Sequence, residues 1–373
     1  MNNKNFYWQA RGTWDRTRTY ITELLVPDFL YDGGTAQGTS SMFYFTADKR
    51  KACLPGEVGH LPGEPGFAAG EARPGCTGPQ LNRYGNIYAR RFLKACTELA
   101  ASVRDRCGAG KDFQVNDEGW LVYVGAGNTT KDGITRNLWQ TSLPAAQSPW
   151  GVALAWGHPI VDRPLCPNGV AATCQAGASV GINQVIGNTL PDYRFTFSND
   201  FQFKRLTLYA LVDATVGQSV YNQGEGWGLL DISSAHFDQA GKSVEDAKPV
   251  GYSWRTGPAE GAGTGGFYDI LNVNNYVVEK ASFAKLREVS LTYKVGRLAG
   301  VGDWTLGLVG RNLFTLTNYT GYDPETGCGS DLAGACGGGG SGTRGTGSGL
   351  INGVDAFGFP TLRTVTFSIS TRF

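Results

Sequence analysis

From Val365 to Phe373 the odd positions read Val365, Phe367, Ile369, Thr371 and Phe373, while the even ones read Thr366, Ser368, Ser370 and Arg372. A period of two with one apolar and one hydrophilic face predicts a β-strand with different media on its two sides. The pattern recurs upstream. In 304–314, Trp304, Leu306 and Leu308 oppose Thr305, Gly307 and Arg311; in 288–295, Val289, Leu291, Tyr293 and Val295 oppose Glu288, Ser290, Thr292 and Lys294. Phe195, Phe197, Phe201 and Phe203 oppose Arg194, Thr196, Ser198, Asp200 and Gln202, and Leu206, Leu208, Ala210, Val212 and Val216 follow at once. Each run has about the 9–11 residues that cross a bilayer as a tilted strand.

The connections alternate in length. Residues 204–205 make a tight turn, whereas 221–275 is long and rich in Gly, Trp and Tyr; 296–303 is short, and 317–359 is long again. A soluble meander has no reason to gather its long loops at one end, but a membrane barrel does, with short turns on the periplasmic side and long loops outside. Residues 1–50 supply further barrel strands: Phe6, Trp8 and Trp14 alternate with Tyr7, Arg11 and Thr13, 19–26 extends that run, and 41–46 is another candidate. Residues 51–191 read as a large, mostly extracellular loop region with short strands at 120–124 and 180–186, and 192–373 as the C-terminal barrel strands. The fold class expected is all-β, an antiparallel transmembrane β-barrel that is partial and open.

Composition narrows the function. A net charge of +1 excludes a nucleic-acid binder that works through a basic field. The chain has no run of eighteen apolar residues, hence no transmembrane helix. A mean hydropathy of −0.22 suits a barrel, which needs only every second strand residue apolar. The opening MNNKNFYWQARG lacks the apolar stretch of a signal peptide, so the expectation is a piece of a longer protein.

The eight cysteines form no CxxC pair. Their even count and close sequential spacing point to disulfides across loops in an oxidising compartment: Cys96 with Cys107, Cys166 with Cys174, Cys328 with Cys336, and Cys53 with Cys76. The alternatives are reduced thiols in a cytosolic protein or a zinc site, the latter disfavoured by isolated His60, His158 and His236.

The Gly241–Ser243 GKS lacks the upstream glycine of a phosphate loop. Asp323 and Glu325 in TGYDPETG present either a calcium site or a solvated turn, the turn being favoured. No Ser/His/Asp or Cys/His signature is assembled, so neither an enzyme, a cofactor nor a catalytic metal is expected. Trp227, Tyr252, Trp254, Phe267 and Tyr268 in the long loop are read as an interfacial girdle or as ligand-contacting platforms at the outer mouth.

Four blocks carry a resemblance: GNTLPDYRFTFSNDFQFKRLTLYALVDATVGQSVYNQG (187–224), YVVEKASFAKLREVSLTYKV (276–295), GRNLFTLTNYTGYDPE (310–325) and FPTLRTVTFSISTRF (359–373). In order and spacing they resemble the C-terminal half of SusC/RagA-type TonB-linked outer-membrane transporters. Residues 82–99 and 113–125 are similar to variable extracellular segments of that family. The resemblance implies an outer-membrane importer of oligosaccharides or oligopeptides, surrounded by outer-membrane lipid, closed by a SusD-like surface lipoprotein and energised by the TonB complex. The TonB box, the plug domain and the early strands of a barrel of about 22 strands are not in the sequence. Phe373, with Phe367 in the preceding strand, resembles the terminal signal read by the barrel-assembly machinery. The rival readings are a secreted β-rich carbohydrate-binding or adhesion module and a passive porin.

Overall fold

A computed structural model describes residues 2–3, 5–19, 25, 29–31, 42–45, 83–133, 136–138, 141–163, 165–166, 184–230, 233–235, 238–248, 275–298, 300–325, 353–355 and 360–373. Its main feature is a seven-stranded antiparallel sheet built from β1 (Asn2–Asn3), β2 (Phe6–Asp15), β3 (Tyr193–Phe203), β4 (Leu206–Val216), β5 (Phe283–Leu298), β6 (Val301–Thr317) and β7 (Thr364–Arg372). Spatial order follows chain order. The sheet is an up-and-down meander, open between β1 and β7, as expected for part of a barrel.

Register decides what the two faces are made of. One row crosses six strands as Trp8, Phe201, Leu208, Leu291, Leu308 and Phe367. The adjacent row, on the opposite face, is Tyr7, Gln202, Thr207, Thr292, Gly307 and Ser368. The period-two pattern of each strand is thus in phase with its neighbours. Phe195, Phe197, Phe203, Leu291, Tyr293, Phe367 and Ile369 are all exposed on the apolar face. Among the described residues no second layer covers them, as a soluble sandwich would require, whereas a bilayer supplies an apolar medium. Asn199, a polar residue on this face, accepts a hydrogen bond from Trp8 Nε1 at 3.1 Å.

β5 and β6 are longer than the sequence pattern indicated, because irregularities hide their continuation. Opposite the Leu211–Val212 step of β4, β5 fits one extra residue, Arg287. Arg287 and Glu288 can therefore both serve the polar face while Leu286 and Val289 stay on the apolar one. β6 absorbs its own shift beside Asn312, which has a positive φ of 51°. Period-two reading stops at such points.

The hairpin turn at 204–205 and the close of the β5–β6 pair at Leu298 and Val301 lie at one end of the sheet, and the three long connections leave from the other. The described parts of those connections pack together. Phe92, Trp120, Val122, Trp156 and Val161 from the first share a core with Tyr221 and Leu229 from the second and Val354 from the third. A second core gathers Leu99, Val103, Phe113, Leu143, Trp150 and Ile160 within the first connection alone. The region read as mostly loop therefore holds short strands wrapped around buried aromatics. Among the described residues of the first fifty, only β1 and β2 join the barrel sheet, and most of 19–26 lies outside the described residues. Met42–Phe45, expected as a barrel strand, is four residues long and pairs instead with Phe29–Tyr31 and Asn86–Ala89 in a separate sheet. The span 221–275, read as loop, opens with a helix, Gln223–Leu230, whose first turn is capped by Asn222 Oδ1 accepting from Glu225 N–H at 3.0 Å.

Candidate functional site

Two constellations stand at the loop end. The first is an ion network on the polar face. Lys285 of β5, 1% exposed, donates from Nζ to Asp323 Oδ1 at 2.6 Å, Glu325 Oε2 at 2.7 Å and Thr361 Oγ1 at 3.2 Å. An ammonium has three protons, and all three are used. Beside it Arg287 donates to Asp213 Oδ2 from Nη2 at 2.8 Å and to Glu325 Oε2 from Nη1 at 2.6 Å. Thr361 closes the ring by donating from Oγ1 to Asp323 Oδ2 at 2.6 Å. The carboxylates of TGYDPETG thus serve neither as a cation site nor as a solvated turn: they clamp the start of the third long connection, and the approach to β7, onto the barrel wall. Burial by itself raises both carboxyls. For Asp323 the hydrogen bonds from Lys285 and Thr361 reverse that, and for Glu325 those from Arg287 and Lys285 do, leaving both below the ordinary carboxylate range.

The second is a cavity of about 580 Å³ between the first connection and the stalk 275–280. One wall carries Arg91, Phe92, Lys94 and Trp120; the other carries Tyr276, Glu279 and Lys280. Phe92 stacks on Tyr276 across it, with centroids 6.2 Å apart, and meets Trp120 edge-on at 5.7 Å. Phe92 N–H donates to Asn275 Oδ1 at 3.2 Å, tying the walls together. The segment bearing Lys94 is braced: Glu98 Oε2 accepts from the N–H groups of Lys94 and Ala95, Arg104 reaches the carbonyl of Leu99 at 2.9 Å, and Cys96 is disulfide-bonded to Cys107. Burial raises the Glu98 carboxyl, but those backbone bonds and the Arg91 ion pair outweigh it and hold it low.

The residues singled out from sequence fall as follows. Cys96 and Cys107 are joined, and Cys166 is likewise disulfide-bonded. Cys53, Cys76, Cys174, Cys328 and Cys336 lie outside the described residues, as do Tyr252, Trp254, Phe267 and Tyr268. Trp227 is half-buried on the helix Gln223–Leu230 and does not line the cavity. Phe367 and Phe373 are both exposed, at 62% and 91%. Lys94, Trp120, Tyr276 and Lys280 were not singled out, because the residues that meet here are separated in sequence by up to about 190 positions. The only local sign was the basic and aromatic cluster of 90–96 ahead of a cysteine.

A meander with one lipid-facing and one polar face, short turns at one end and a folded cap at the other defines the wall of an outer-membrane β-barrel. Comparison with known proteins sharpens this. The chain is 24% identical over 202 residues to TonB-dependent receptor P3 of Formosa agariphila, and 26% identical over 196 residues to TonB-dependent receptor P26 of the same organism. These stretches cover 52% and 51% of the chain but 18% of each receptor, so the chain spans about a fifth of their length. No family model matches. Among solved structures, the RagAB peptide transporter is similar over 99% of the chain and 27% of its own, at 14% identity and a TM-score of 0.44. The RagAB peptide importer in the open-open state is similar over 100% and 27%, at 13% identity and 0.45. The chain is thus similar, over about half its length, to part of two TonB-dependent receptors, in line with the resemblance carried by the four blocks.

Proposed function

We propose that this chain forms part of the wall and outer cap of an active outer-membrane transporter that imports large nutrients, oligosaccharides or oligopeptides. In this reading a SusD-like surface lipoprotein closes over the cap, and the TonB complex supplies the energy through parts of the protein beyond this segment. The barrel-assembly machinery inserts it. The single observation that supports the reading is the in-phase register of six strands, which gives one lipid-compatible face and one polar face under a cap of packed loops. The relatives are named as receptors. A passive porin would present the same wall, so the test is energetic. In cells producing the full-length protein, loss of TonB should abolish uptake of its nutrient while the protein stays in the outer membrane. Uptake that continues unchanged without TonB would overturn active import in favour of passive passage.

A further inference from the structure

Where β2 runs out into the first long connection, arginines gather at the rim of the lipid-facing side. Trp14 and its register partner Phe195 belong to the apolar face. Trp14 stacks on Tyr193, with ring centroids 6.1 Å apart and planes 22° apart. Amphipathic aromatics at the ends of membrane strands mark the level of the interface. Arg16 lies two residues beyond Trp14, and its guanidinium carbon sits 5.4 Å from the centroid of the Tyr193 ring. Its charge is therefore held on the outward side, next to the aromatics. Arg16 is exposed and forms no ion pair among the described residues. At the same rim, two more arginines share one carboxylate: Arg83 Nη1 lies 3.1 Å from Asp192 Oδ1, and Arg18 Nη2 only 4.0 Å from the same oxygen. Asp15 does not redress the balance, since it belongs to the polar face, where Arg194 is its register partner. Three guanidinium groups against Asp192 alone leave an excess of positive charge at this rim. Arg16 and Arg18 carry most of it, because Arg83 holds the close pairing. A guanidinium lying over a ring uses only its face, so the N–H donors around its edge stay open to an acceptor.

We propose that this rim is a binding site for a phosphate-bearing lipid of the outer leaflet. Arg16 and Arg18 are its phosphate contacts, Asp192 with Arg83 anchors the rim beside them, and the Trp14–Tyr193–Phe195 row is the surface against which its acyl chains lie. Charge and place together select this occupant. Guanidinium groups match phosphate oxygens two at a time, and a cluster of them beside a membrane attracts anionic headgroups. The apolar row immediately inward of the arginines suits a phosphate that carries hydrocarbon, whereas a free phosphate would make no use of it. Hydrocarbon on one side also keeps the local dielectric low, which strengthens the attraction over that of an arginine surrounded by water. The proposal rests on the outer-membrane reading of the wall and adds to it which lipid that wall prefers.

The test is native mass spectrometry of the purified full-length protein, delipidated in detergent and titrated with diphosphoryl lipid A, with the same lipid stripped of its phosphates, and with inorganic phosphate. The diphosphoryl lipid should bind far better than the stripped one, and more weakly as salt is raised. Inorganic phosphate should neither bind comparably nor displace it. The Arg16→Gln/Arg18→Gln protein should bind the diphosphoryl lipid at least about tenfold more weakly, and the Arg16→Lys/Arg18→Lys protein should recover part of the loss. Equal binding of the two lipids, displacement by inorganic phosphate at matching concentration, or undiminished binding by the double glutamine variant would each overturn the proposal. The wild-type comparison of the two lipids decides the matter even where a variant fails to fold. Membrane location is read separately, by fractionating cells that produce the same protein. A protein found in the outer membrane that does not discriminate between the lipids overturns this site alone, so the two failures remain distinguishable.

Discussion

Lys285 is the residue whose environment asks most of the fold. An ammonium removed from water is costly unless its charge and every proton are answered, and here three oxygens at 2.6–3.2 Å answer them. Replacing it by Met would leave Asp323, 4% exposed, beside Glu325 with its main counter-charge gone. The expected loss is about 3–5 kcal/mol, read as a lowered denaturation midpoint of the full-length protein in detergent. Asp323→Asn in the same chain should recover part of it; an unchanged midpoint for Lys285→Met would contradict the clamp. The pH dependence has a definite sign. Asp323 and Glu325 titrate lower in the folded protein than unfolded, so their contribution is present above the unfolded values of about 3.9 and 4.3. It is lost as pH falls below about 4 through the folded values. Protease cleavage within 318–325 should accordingly rise in that window and not between pH 5 and 7.

At the scale of elements, strands and loops differ in how far their sequences disclose them. β3, β4 and β7 are legible residue by residue, since an uninterrupted period of two marks both their existence and their facing. β5 is half-legible: the extra residue at Arg287 changes the parity, and the stretch from Phe283 to Leu286 continues on the other phase. The cap is not legible at all as a fold, because its core is assembled from connections far apart in the chain. Trp120 and Val354 carry no local signal that they meet. The candidate cavity shares that fate, while the Cys96–Cys107 bond, closing a short local loop, was within reach of spacing alone. β7 carries a prediction of its own. Val365, Phe367 and Ile369 face outward, and Phe373 follows, 91% exposed. Under the proposed function this is the strand that the assembly machinery engages. Phe373→Ala in the full-length protein should leave synthesis intact and deplete the protein from the cell surface. Normal surface levels would contradict the signal role and leave the barrel wall untouched.

At the scale of the whole molecule, the sheet has two edges, at β1 and β7, and a broad exposed apolar face between them. Both are liabilities in water, where open edges and apolar patches drive association. Both are resolved when further strands close the barrel and lipid covers its outside, consistent with a chain that spans about a fifth of the receptors it resembles. The central claim is therefore a claim about media: apolar rows meet lipid and polar rows meet water. The most direct measurement places a spin label, through a non-canonical amino acid that spares the cysteines, at each position of 195–203 in the full-length protein in liposomes. Collision rates with lipid-soluble oxygen and with a water-soluble nickel chelate are then compared. Positions 195, 197, 201 and 203 should favour oxygen and positions 196, 198, 200 and 202 the chelate, with a period of two. Oxygen-favouring and chelate-favouring positions without that alternation, or odd positions shielded from both probes as in a sealed two-sheet core, would contradict the account.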